Sequence, residues 1–117
     1  MIRVTSSLFV AALVRRASDV GAECVIARRG AAEAGAIFVS VDRLDGTGDL
    51  YTPAPQSLFA SGEEAEYADR LFSQALSRRP SAEIADRLAK EIRFDSDLWV
   101  VAIADRAGRP FVEVAPE

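Results

Sequence analysis

The sequence predicts an α+β domain: a mainly antiparallel sheet of four to six strands with two or three helices packed on one face. Three observations carry this expectation. Residues 98–104 (Leu-Trp-Val-Val-Ala-Ile-Ala) are apolar on both faces, the pattern of a strand inside a sheet. Residues 81–94, just before it, place Ile84, Leu88 and Ile92 at helical spacing. Asp45-Gly46, between two extended-looking segments, is a strong hairpin signal. The 117 residues suit one globular domain, 1–117, able to bury about two-thirds of its unfolded surface.

Along the chain, Thr5, Ser6 and Ser7 offer hydroxyl caps for a helix in which Phe9, Leu13, Ala17 and Val20 share a face, with Gly21 placed to end it. Residues 23–29 read as a strand, and residues 36–43 as a second in which Ile37, Val39 and Val41 alternate with Phe38, Ser40 and Asp42. Residues 49–52 return as a third strand, ended by Pro53 and Pro55, and are a candidate sheet edge. A two-residue loop there would set Asp42 against Asp49, so a longer loop or bulge using Gly48 is expected; a one-residue slip would pair Arg43 with Asp49. Residues 56–62 read as loop.

Residues 61–79 support two readings. Glu63, Glu64, Glu66 and the later Arg78-Arg79 suit the two ends of a helix, whereas residues 70–76 are short enough to be a strand. Ser81 is the expected cap of the next helix, with Glu83–Arg87 and Asp86–Lys90 as i,i+4 pairs. Asp95-Ser96-Asp97 turns the chain into the apolar strand. After it, Gly108 closes a turn and residues 111–114 are expected to pair back as a strand.

Composition excludes several function classes. There is no histidine, which removes Ser-His-Asp and Cys-His catalysis and histidine-ligated metals. Cys24 is the only cysteine, so the chain has no internal disulfide, and a cytoplasmic location is expected. The longest apolar run, residues 8–14, is too short to span a bilayer and no cleavage pattern follows it, so no membrane association is expected. The net charge of −4, all of it in residues 51–117, disfavours nucleic acid as a partner. Lys90 is the only lysine beside many arginines, the usage of a GC-rich bacterial genome. The glycines form neither a Walker loop nor a dinucleotide fingerprint, and no cofactor is expected.

Three constellations retain chemical interest. Glu91, Asp95 and Asp97 surround a helix exit and are candidate ligands for Mg²⁺ or Ca²⁺, against the simpler reading of Asp95 and Asp97 as turn punctuation. The doublets Arg15-Arg16 and Arg28-Arg29, with Arg78-Arg79, are candidate anion-binding groups, Arg16 and Arg29 above all if the first helix packs on the first strand. Trp99 and Tyr51 are candidate pocket walls that serve equally well as sheet packing, and Cys24 reads as a buried, inert thiol.

The segments Phe9-Val-Ala-Ala-Leu-Val-Arg-Arg16, Arg29-Gly-Ala-Ala-Glu-Ala-Gly-Ala-Ile-Phe38, Asp49-Leu-Tyr-Thr-Pro-Ala-Pro-Gln56 and Glu91-Ile-Arg-Phe-Asp-Ser-Asp-Leu-Trp99 together resemble domain-of-unknown-function family 1491 of bacteria. The resemblance spans nearly the whole chain and is weakest over residues 57–80; Ser96 stands where that pattern has proline. It implies no activity, substrate or site residue. The expected function is therefore a small non-catalytic cytoplasmic module acting through an unknown protein partner or as a homodimer. The alternatives are a PAS-like sensor of a small molecule or anion, for which the turn before residue 109 speaks, and a metal-dependent enzyme using the Glu/Asp cluster.

Overall fold

The Thr5 hydroxyl accepts the Leu8 amide at 3.2 Å and opens α1 (Ser6–Asp19), and Gly21, at φ +81°, leads the chain out of it. The elements that follow are β1 (Glu23–Arg28), β2 (Ile37–Asp42), β3 (Thr47–Pro53), β4 (Phe72–Pro80), α2 (Ser81–Phe94) and β5 (Trp99–Ala104). The computed structural model describes residues 4–55 and 70–116. The expected loop at 56–62 and the first part of the ambiguous stretch lie outside them.

The five strands form one sheet in the order β1-β5-β2-β3-β4. All neighbours are antiparallel except β2 and β5, which run parallel. The fold is thus α+β with a mostly antiparallel sheet, and the doubly apolar strand is interior, between β1 and β2. The helices, expected on one face, lie on opposite faces. Val10, Leu13 and Ala17 of α1 pack with Val39, Val41, Trp99, Val101 and Ile103, whereas Ile84 of α2 packs with Phe38, Leu50, Leu98 and Val100. The reason is the apolarity of β2 and β5 on both sides: each face needs a cover.

Four local expectations change. Residues 72–80 are strand, so Arg78 and Arg79 lie in β4, and β3 becomes an interior strand instead of an edge. The hairpin register slips opposite to the anticipated direction, setting Val41 across from Asp49 and Asp42 across from Gly48. Asp42 and Asp49 are separated, and Arg43 still reaches Asp49, Nε to Oδ2 at 2.7 Å, across the diagonal. Helix α2 begins after Pro80, and Ser81 is already helical without capping it; among the described residues the ion pairs along it are Arg79–Glu83 and Arg87–Glu91. The tail does not pair back on β5. It crosses to β4, where the Phe72 amide donates to the Glu113 carbonyl at 2.9 Å and the Ala115 amide to the Phe72 carbonyl at 2.7 Å.

The connection from β1 to β2 is pinned by four hydrogen bonds. The Ser6 and Ser7 amides donate to the Glu33 and Ala32 carbonyls, the Ser6 hydroxyl donates to the Gly35 carbonyl at 2.6 Å, and the Ala31 amide donates to the Asp97 carbonyl. Gly30 lies so close to the Asp97 and Leu98 backbone that a Cβ has no room.

Candidate functional site: the open part of the sheet

Strand register places three short rows across β1, β5 and β2 on the α2 side. Glu23, Ala104 and Asp42 stand in the first row; Val25, Ala102 and Ser40 in the second; Arg28, Val100 and Phe38 in the third. Helix α2 lies over β3 and β4 and reaches inward far enough to bury Val100 and Phe38. The first two rows stay open. Val25 is 53% exposed, Ala102 and Ser40 are half-buried, and Glu23 and Asp42 are exposed. A cleft of about 210 Å³ separates this patch from α2, with Ser40 and Gly48 on its floor and Ala85 and Leu88 on its wall.

The patch is therefore a shallow trough of small side chains with two carboxylates across one end. On the opposite side of the same strands stand the large residues Trp99, Val101, Ile103, Val39 and Val41, sealed under α1. Val25, Ala102 and Ser40 were not among the sequence candidates. The signal for them is the size asymmetry within residues 99–104, where Val101 and Ile103 alternate with Ala102 and Ala104.

The sequence candidates are scattered. Helix α1 and β1 run antiparallel through a tight turn, so Arg16 and Arg29 sit at opposite ends of the pair and do not converge. Arg16 Nη2 donates to the Phe111 carbonyl at 2.8 Å, and Arg15 is exposed on α1. Arg28 Nη2 donates to the Ser96 carbonyl at 2.8 Å. Arg29 lies 6.0 Å from the ring centre of Trp99, whose own Nε1 donates to the Ala31 carbonyl at 2.8 Å from a buried position. Arg79 forms a two-point pair with Glu83. Glu91 is engaged by Arg87, and Asp95 accepts the Asp97 amide at 2.9 Å in a local turn. Among the described residues, no three acidic or sulfur ligands are grouped to hold a metal ion.

Burial pushes the Cys24 thiol up from its ordinary range, which suppresses the thiolate. Tyr51 is pushed up by burial and then by the neighbouring Asp49 carboxylate; its hydroxyl accepts from Gln74 Nε2 at 3.1 Å. Asp105 is held below the usual carboxylate range by its hydrogen bonds from Arg109, at 2.9 and 3.0 Å. No described helix is long and apolar enough to cross a membrane.

The chain is 41% identical to a protein from A. tumefaciens whose solution structure superposes with a TM-score of 0.82 over 99% of this chain and 98% of that one. A DUF1491 family protein from Caulobacter crescentus CB15, known from a crystal, shares 33% identity at a TM-score of 0.78, covering 98% and 100%. An NMR structure of a DUF1491 family protein from the same organism gives 34% and 0.77, covering 99% and 100%. Among curated proteins, none matches. The model of the family described as protein of unknown function (DUF1491) matches residues 4–113, and the chain belongs to that family.

Proposed function

We propose that this chain is a small non-catalytic interaction module of the cytoplasm that docks one amphipathic helix of a partner protein in the open trough. The observation that carries the reading is the row order on the α2 side: two carboxylates, Glu23 and Asp42, then a floor of the exposed Val25 beside the smaller Ala102 and Ser40. A helix is about 10 Å across and neighbouring strands about 4.8 Å apart, so the space over β1, β5 and β2 beside α2 is one helix wide. Small floor residues let such a helix approach closely, and Glu23 and Asp42 favour Lys or Arg at one of its ends. Strand addition is the weaker mode. The outer strand β1 carries a register shift between Ile26 and Arg28, β4 carries two, and the tail occupies β4 at Phe72.

A photocrosslinking residue at Val25, with one at Val20 as control, tests the reading in cells. Val20 is 58% exposed but stands at the end of α1. The expected result is a defined adduct from position 25 and none from position 20. The purified partner then binds the unmodified chain and binds Ala102→Arg at least tenfold more weakly. Equal labelling at both positions, or binding indifferent to Ala102→Arg, overturns the proposal. An adduct of this chain with itself would instead place a second copy in the trough.

A further inference from the structure

The trough has one deeper place, the cleft of about 210 Å³ beside α2. Its depth comes from Gly48, where a Cβ would lie 2.7 Å from the Val41 carbonyl oxygen and 3.6 Å from Ile84 Cγ1. Ser40 shares the floor, Ala85 and Leu88 form the wall, and Asp42 borders the slot. We infer, resting on the trough reading, that this slot takes one large apolar side chain of the docked helix, Leu or Phe in size, while a Lys or Arg one turn away meets Asp42.

Size decides the class of occupant. Small-molecule sites run to about 300–1,000 Å³, so this slot is too small for one and suits a single side chain. Interfaces concentrate recognition in a few anchors set into pockets of this kind. Spacing decides where the cation goes. Ser40 and Asp42 lie two residues apart on β2, on the same side of the sheet, about 6.8 Å along the strand. One helix turn rises about 5.4 Å, so an anchor over Ser40 carries the residue one turn along over Asp42.

Asp42 is placed for that role. Its Oδ1 accepts the Leu44 amide at 2.8 Å, which orients the carboxylate and leaves Oδ2 for a cation. The adjacent Arg43 is committed to Asp49 and does not compete. The anchor thus chooses among helices, and the acidic row attracts them.

A helical peptide of about 18 residues, acetylated and amidated, tests this by amide shifts of the full ¹⁵N-labelled chain at low salt. It is built of Ala and Gln, with one central Leu and a Lys four residues before and after it, so that its direction does not matter. Saturable shifts at residues 40, 42, 85 and 102 are expected. The peptide with Ala in place of Leu, and the one with Gln in place of both Lys, should each bind at least fivefold more weakly. Ala85→Leu, at an exposed helix position, fills the slot and should also cost at least fivefold. Asp42→Asn keeps an acceptor for the Leu44 amide, removes the charge alone, and should abolish the advantage of the Lys-bearing peptide; it keeps the test decisive if Ala85→Leu does not fold. Shifts at residue 102 equal for all three peptides, or binding indifferent to Ala85→Leu or to Asp42→Asn, would overturn the slot and leave the trough. Shifts at none of these residues, or shifts that never saturate, would overturn both.

Discussion

Replacing Arg43 by Met isolates the buried charge on which the β2–β3 hairpin rests. The Asp49 side chain is 0% exposed, and its Oδ2 accepts from Arg43 Nε at 2.7 Å; Oδ1 is left to Gln74 Nε2 at 3.3 Å and the Arg78 amide at 3.0 Å. Without Arg43, a fully buried carboxylate keeps two neutral donors on one oxygen and loses its counter-charge. Removing one member of a buried pair costs about 3–5 kcal/mol. Because Arg43 itself retains 13% exposure, the lower end, about 3 kcal/mol, is expected. Unfolding entropy of about 2.1 cal/mol/K per residue makes that about 12 °C in Tm for a 117-residue chain.

Thermal and urea unfolding of Arg43→Met, Asp49→Leu and the double variant measure this as a cycle. The double variant should recover more than half of the Arg43→Met loss, because the stranded carboxylate is gone. It should not recover all of it, since Gln74 and the Arg78 amide lose their acceptor. Arg79→Met is the control, because the Arg79–Glu83 pair is solvent-exposed and its loss should leave Tm nearly unchanged. An Arg43→Met loss no larger than that of Arg79→Met, or a double variant as unstable as the sum of the singles, refutes the account of Asp49 as a charge held by Arg43.

Three further outcomes are expected. Gly30→Ala should destabilise by about 3 kcal/mol or more, because the new Cβ would lie 2.6 Å from the Leu98 carbonyl carbon with only backbone around it; a Tm within two or three degrees of wild type would show that the connection yields. Asp105 has its carboxyl lowered by Arg109, so the stabilisation is present above the ordinary carboxylate range and is lost as pH falls through the lower folded value. The stability gap between wild type and Asp105→Asn should therefore be full at pH 7 and close below about pH 4; a gap constant down to pH 2 would contradict it. Cys24, buried and with a raised pKa, should react with iodoacetamide at pH 8 much more slowly in the native chain than in urea, and equal rates would place the thiol at the surface.

What the sequence made legible was local. Helix α2 and β5 follow from spacing and from two apolar faces, and α1 from its cap, its stripe and Gly21. Most of what the sequence left open or misplaced depended on a partner distant in the chain. Residues 72–80 fit both periods, with Phe72, Gln74 and Leu76 alternating as well as any helical stripe, and only pairing with β3 decides for strand. The hairpin could avoid setting Asp42 against Asp49 by slipping either way. The direction chosen keeps Arg43 on the side of Asp49 and lets Gln74 and Arg78 of β4 complete the carboxylate's partners. Arg16 was singled out for its charge, but the group it engages, the Phe111 carbonyl, lies 95 residues away in the chain. The supposed partner Arg29 was ruled out by the antiparallel run of α1 and β1.

The contrast between the two sides of β5 bears on how tightly the trough can bind. Large apolar side chains left bare would form a sticky patch. Here the open rows carry Ala102, Ala104 and Ser40, with only Val25 large and exposed. Such a surface gains little by shedding water, so affinity must come from close backbone approach and from the charges of Glu23 and Asp42. Contacts of this kind bury less than about 1,200 Å² and belong to the transient class, with salt-dependent association. A trough partner should therefore be lost in ordinary washing yet captured covalently at Val25, and its binding should weaken as salt rises from 50 to 300 mM. Binding that survives high salt would mean that apolar area, rather than the acidic row, holds the partner.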